Sequence, residues 1–144
     1  FSPTRSYRGH AGAKNKGTGD LAKANKCSLD GLANPDNITF IPNTNTLIIG
    51  EDTGSGHQND FIWSYNLGEK KLTRILTSPY GSETTSPYYY NNIGGHGYLM
   101  AVIQHPYGEG DAITKEGDMP STAKSAGEMK AYTGYVGPLP VISK

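Results

Sequence analysis

Residues 37–50 read NITFIPNTNTLIIG. Asn37-Ile38-Thr39-Phe40-Ile41 is a short run of β-branched and aromatic side chains, the composition of a strand. Pro42-Asn43-Thr44-Asn45 is a turn cluster, since Pro fixes φ and Asn tolerates the left-handed region. Thr46-Leu47-Ile48-Ile49-Gly50 is a second strand, apolar enough to be buried on both faces. Two such runs across a tight turn predict an antiparallel hairpin.

The pattern extends beyond that hairpin. A polar loop, Glu51 to Asp60, leads to Phe61-Ile62-Trp63-Ser64-Tyr65-Asn66, again rich in aromatic and β-branched residues. Leu67 to Lys70 turns the chain, and Lys71-Leu72-Thr73-Arg74-Ile75-Leu76-Thr77 alternates apolar and polar as a half-exposed outer strand does. Strand, turn, strand, loop, strand, turn, strand is a four-stranded meander. It takes roughly 40 residues, the length of one propeller blade. The pattern then restarts with Pro87 to Asn91, a Gly-rich turn from Asn92 to His96, and the strong strand Gly97 to Gln104.

The ends are less regular. Residues 1–30 read as an irregular loop segment, residues 31–106 as a propeller blade and a half, and residues 107–144 as an irregular C-terminal segment. In that last segment one helical turn is expected near Ala123–Lys130, and Gly137 to Lys144 reads as a possible edge strand. The expected fold class is therefore all-β: an antiparallel four-stranded meander blade plus a partial second blade, a fragment of a β-propeller. A propeller needs about four to eight blades, and each blade has two faces to cover. Missing blades or other copies of the same chain are the partners this implies.

Composition narrows the function classes. The 144 residues carry thirteen basic and thirteen acidic side chains, so no net field steers the chain to nucleic acid or a membrane surface. Five Lys/Arg between Arg8 and Lys26 have no interleaved aromatics and read as a solvated loop. No apolar run is long enough for a membrane span. The chain starts at Phe1 without an initiator Met or a signal peptide, which reads as a processed or excised end. Cys27 has no second cysteine to pair with and reads as an incidental or semi-buried thiol.

Polar clusters bracket the strands. Pro35-Asp36-Asn37 precedes the first strand and Gly50-Glu51-Asp52 follows the second, so antiparallel pairing sets Asp36 and Glu51 at one end of the sheet. Gly81-Ser82-Glu83-Thr84-Thr85 and Gln104-His105-Pro106 occupy corresponding places around the next strand pair. Carboxylates meeting at one rim suit a hard cation such as Ca²⁺, which takes six to eight oxygen ligands. The competing reading is turn chemistry, in which Asp and Asn bond the local backbone. His105 reads as a ligand, a proton carrier or a packed strand-end residue, whereas His10, His57 and His96 lie in Gly-rich loops and read as solvated. There is no HExxH, zinc-finger, P-loop or GxSxG pattern, so no catalytic residue and no organic cofactor site is assigned. The Tyr88-Tyr89-Tyr90 stripe reads as blade packing.

Pro35-Asp36-Asn37, Leu47-Ile48-Ile49-Gly50-Glu51-Asp52, Trp63, Gly81-Ser82-Glu83-Thr84-Thr85 and Val102-Ile103-Gln104-His105-Pro106 together resemble, in order and spacing, the PhoX family of bacterial alkaline phosphatases. The resemblance covers about Asp30 to Glu109. It implies a six-bladed propeller with a Ca²⁺ and Fe³⁺ cluster in its channel, exported to the periplasm or beyond, that hydrolyses phosphate monoesters. It implies Glu51 and Glu83 as metal ligands, with Asp36, Asp52 and His105 behind them. Most of the family's ligands, its iron-binding cysteine and its phosphate-binding arginine would lie in earlier blades, and Cys27 does not match that cysteine. The expectation is thus a piece of a metal-dependent phosphomonoesterase that is silent in isolation. Two alternatives are a Ca²⁺-binding lactonase-like propeller and a non-catalytic self-assembling or binding module.

Overall fold

In the computed structural model of the chain, residues 27–53, 56–108 and 130–142 are described. The basic loop, His10 and nearly all of the expected helical turn at Ala123–Lys130 lie outside them. Every regular element among the described residues is a strand: β1 (Pro35–Ile41), β2 (Thr46–Glu51), β3 (Phe61–Asn66), β4 (Lys71–Thr77), β5 (Glu83–Ile93), β6 (His96–Gln104) and β7 (Tyr132–Leu139). Among these residues no helix is long and apolar enough to cross a membrane.

The first sheet is the antiparallel meander β1-β2-β3-β4. Ile38 pairs with Ile49 and Phe40 with Leu47, so apolar side chains meet across the hairpin on that face. Its turn uses the predicted residues: Asn43 (φ 66°) and Asn45 (φ 52°) take the left-handed conformation, and Thr44 Oγ1 donates to Ile41 O at 2.7 Å. At the β3–β4 turn Lys70 adopts φ 55°, and Asn66 Oδ1 accepts from Glu69 N at 2.9 Å.

The second sheet is β5-β6-β7, also antiparallel. Ile93 pairs with His96 across Gly94 and Gly95, both at positive φ, the two-residue hairpin turn that glycine makes at low cost. The two sheets repeat one pattern. β1 shifts register between Pro35 and Ile38 against β2, and β5 shifts between Thr85 and Tyr88 against β6. Each shift adds one residue to the first strand of a pair, a β-bulge. The third strand differs from the sequence expectation. It runs from Tyr132 to Leu139, starting earlier than Gly137, because Tyr132, Thr133, Tyr135 and Val136 supply the β-prone residues. Pro138 is tolerated because β7 is an edge strand.

The sheets pack through one apolar layer. Ile41, Ile48 and Ile62 of the first meet Leu99 and Ala101 of the second, with Ile75, Leu76, Tyr89 and Val136 around them. Burying each large aliphatic side chain there contributes about 1.5–3 kcal/mol. The other face of the first sheet carries Ile49, Phe61, Trp63 and Tyr65, covered in part by Leu32 from the incoming segment. Close approach is needed at Gly50, where an added Cβ would lie 2.6 Å from Thr84 O. That contact brings the exit of β2 against the start of β5, and so brings the polar clusters together. Toward β4 and β7 lies an apolar cavity of about 220 Å³, lined by Ile62, Leu76, Leu99, Ala101, Ile103 and Val136 among others.

Candidate metal centre

Asp36, Asp52 and Glu83 each offer a carboxylate oxygen within 4.8 Å of the other two. They come from three strand ends on two sheets: Asp36 enters β1, Asp52 leaves β2, and Glu83 opens β5. Oxygens bound to one Ca²⁺ at 2.3–2.6 Å are at most about 5 Å apart, so this spacing fits one cation shell and supplies three of its six to eight ligands. Asp36 and Asp52 are exposed and Glu83 is half-buried. Asn37 Nδ2 donates to Asp36 Oδ2, a side-chain contact between neighbours at the edge of the group.

His105 joins this group at its edge. Its Nε2 lies 3.5 Å from Glu83 Oε2, long for a hydrogen bond. Its turn is latched to the chain ahead of Glu83: Tyr107 N donates to Tyr80 O at 2.8 Å and Gly108 N to Gly81 O at 3.1 Å. The Glu83 carboxyl is held above its ordinary range, first by burial and then by the Asp52 charge, with Asp36 adding to the rise and the hydrogen bond and charge of His105 opposing it. A cation among the three carboxylates would remove that repulsion.

Glu51 is not brought into this group. Its side chain shares a face with Leu47 and Ile49, turns away from the second sheet, and is fully buried. Oε1 accepts from Ala33 N and from Trp63 Nε1, both at 2.8 Å. Oε2 accepts from Phe61 N at 3.0 Å and faces His57 Nδ1 at 2.8 Å. Four partners occupy the carboxylate, so its oxygens are committed to the fold. The sequence expectation of a solvated His57 is overturned, since the ring is 1% exposed. Its Nε2 lies 2.9 Å from Ser28 O, and a carbonyl can only accept, so Nε2 carries a proton. A buried charge survives only when paired and hydrogen-bonded in this way.

Cys27 belongs to this interior region. Its side chain is buried beside Ala33, and its N donates to Gly56 O at 2.8 Å. Burial, and then the Glu51 charge, push the thiol up to about 11. It takes no part in the carboxylate group, which offers hard oxygen donors with the His105 imidazole beside them.

Sequence reasoning thus found the rim carboxylates and missed the Glu51–His57 pair. The signal for Glu51 was parity: Leu47, Ile49 and Glu51 alternate onto one face, which places Glu51 inside and Asp52 outside. No comparable signal marked His57, which lies in an aperiodic loop. Comparison with protein-family models, curated proteins and solved structures returned no match.

Proposed function

We propose that this chain supplies one corner of a Ca²⁺ site, with Asp36, Asp52 and Glu83 as oxygen ligands and His105 beside them. The carrying observation is the convergence of three carboxylates from separate strand ends within 4.8 Å. A single turn would account for one or two such groups, whereas this arrangement needs both sheets. A cation held there would polarise bound oxygen atoms of an anionic substrate. The chain's own part is to fix the carboxylates and to place His105 against Glu83.

The wider reading keeps the resemblance to PhoX-type phosphatases. In it the two sheets are neighbouring propeller blades, the rim faces the channel, further blades complete a Ca²⁺ and Fe³⁺ cluster, and the parent acts on phosphate monoesters in the periplasm or outside the cell. Support comes from the repeated bulged strand pair and from the rim position of the acidic group. The purified 144-residue chain should bind Ca²⁺ by calorimetric titration and show no turnover of a phosphate monoester. Absence of Ca²⁺ binding removes the cation reading, and phosphatase activity from the chain alone contradicts its role as a partial site. A lactonase-like parent would need Ca²⁺ alone, so metal analysis of a longer chain carrying further blades separates it from the phosphatase reading.

A specific observation also favours association through sheet faces. Ile38 and Phe40 on β1 are 63% and 48% exposed, and Tyr88 and Tyr90 on β5 are 56% and 43% exposed. The two pairs follow the two bulges at matching positions. Apolar pairs so placed suit coverage by further blades or by other copies of the chain. Light scattering across a concentration series tests this: a constant monomer mass argues against self-association.

A further inference from the structure

Each of the three rim carboxylates stands within three residues of a group bonded to Glu51. The carboxylate of Glu51 accepts from Ala33 N, three residues before Asp36. The adjacent Asp52 donates its N to Asn34 O at 3.1 Å, which closes the same corner a second time. Glu51 N donates to Thr84 Oγ1 at 2.8 Å, and Thr84 directly follows Glu83. Thr84 is fully buried, and its hydroxyl proton has carbonyl acceptors in Phe61 at 3.0 Å and Glu51 at 3.2 Å. Through Phe61 N, Trp63 Nε1 and His57, Glu51 is anchored to β3 and to the loop ahead of it.

We propose that Glu51 is the positioning residue of the cation site. It touches no cation; its carboxylate holds Ala33 near Asp36, its backbone N–H holds Thr84 beside Glu83, and Asp52 follows it directly in the chain. Asp36 and Asp52 are exposed and the rim lies at strand ends, so the support for the corner comes from the chain behind it. Glu51 can do this because all four of its acceptor positions are filled from fixed elements. His57 completes the set by holding the last oxygen and tying it to Ser28 O. Groups behind a ligand shell commonly change metal affinity by about 10- to 100-fold when removed.

This inference rests on the cation reading, and the experiment separates the two. Ca²⁺ is titrated calorimetrically into the full chain, with Tb³⁺ luminescence as a second probe, and each variant is also melted. Wild type binds, and Asp52→Asn weakens binding as loss of a ligand does. Thr84→Val, which removes the hydroxyl between Glu51 N and β5, is expected to lower Ca²⁺ affinity about 10-fold or more, as loss of a group supporting the ligands does. Thr84→Ser, which keeps the hydroxyl, restores affinity to within about twofold, far short of such a loss. Leu99→Val, a core change away from the rim, lowers the melting temperature and leaves affinity unchanged. Glu51→Gln, where it folds, behaves like Thr84→Val. Wild-type binding with Thr84→Val also at full affinity overturns the positioning role while leaving the cation site standing. No binding by wild type removes the site and the positioning role together.

Discussion

Glu51 and Glu83 are both carboxylates at the end of an inner strand pair, yet their surroundings are opposite. Four hydrogen-bonding partners and no solvent surround Glu51. Glu83 faces two other acids and one imidazole at 3.5 Å, and its pKa is raised. The first carboxylate stabilises the fold by being fully paired. The second costs stability when ionised, and the proposed cation would relieve that cost. Placing mutually repelling acids at a rim requires something behind them that does not yield, and the buried pair is that support.

The hardest test of the contrast is to neutralise each carboxylate in turn. Glu51→Gln sets an amide N–H₂ against at least one of the fixed donors Ala33 N, Trp63 Nε1 and Phe61 N and takes the charged partner from His57. Breaking a buried pair from one side costs about 3–5 kcal/mol, and denaturant unfolding should show a loss of that size. Glu83→Gln should be neutral or stabilising at pH 7 without added cation. Equal losses in the two variants would erase the distinction.

A smaller loss is expected where the two regions touch. A Cβ at Gly50 would lie 2.6 Å from Thr84 O, a backbone atom with no rotamer to escape into. Gly50→Ala should therefore push β2 from β5 and cost about 1–3 kcal/mol, as overpacking does. It should also weaken Ca²⁺ binding, because Asp52 and Glu83 lie on opposite sides of that contact. Loss of stability without loss of binding would show that the rim tolerates sheet displacement.

These contrasts also mark what was legible in the sequence. The all-β meander was readable because β2 and β3 are dense in β-branched and aromatic residues and the Asn-rich turn has its own chemistry. The rim acids were readable because two strand pairs repeat, which aligns Asp36, Asp52, Glu83 and His105. The assignment of Glu51 to that rim ignored parity: adjacent residues of a strand face opposite ways, so Glu51 and Asp52 could not both point outward. His57 was unreadable because its partners are 6 and 29 residues away in sequence. The span of β7 was obscured by Gly134, Gly137 and Pro138, residues that weaken a strand signature without forbidding an edge strand.

A milder effect separates the two carboxylates by pH. The folded-state pKa of Glu83 lies above its unfolded value, so the native state holds the proton longer. Stability must then fall as pH rises from the ordinary glutamate range near 4.5 through the raised value. In Glu83→Gln that part of the decline should vanish, and Ca²⁺ should flatten it in wild type by neutralising the cluster. Unfolding free energies between pH 4 and 7, with chelator and with Ca²⁺, measure both. Each tenfold difference in proton affinity between the folded and unfolded chain adds about 1.4 kcal/mol to the full decline. A profile identical in wild type and Glu83→Gln would place Glu83 away from the other acids.

The smallest effect lies at Cys27, and it reports on Glu51 from the inside. Burial first and the Glu51 charge second push this thiol up to about 11. The unfolded thiol ionises near the ordinary cysteine value of about 8.5. The native state thus keeps its proton where the unfolded state loses it, so stability is unaffected at pH 7 and falls as pH rises from that value toward 11. Thiolate absorbance of the native chain should stay absent until well above pH 9 and appear near the ordinary value in denaturant. Alkylation at pH 8 should be roughly a hundredfold slower in the native chain on thiolate fraction alone, with burial slowing it further. A native midpoint at the ordinary value would mean that Cys27 sees neither a dry interior nor a nearby anion. The buried, fully partnered Glu51 that separates the inner region from the rim would then be wrong.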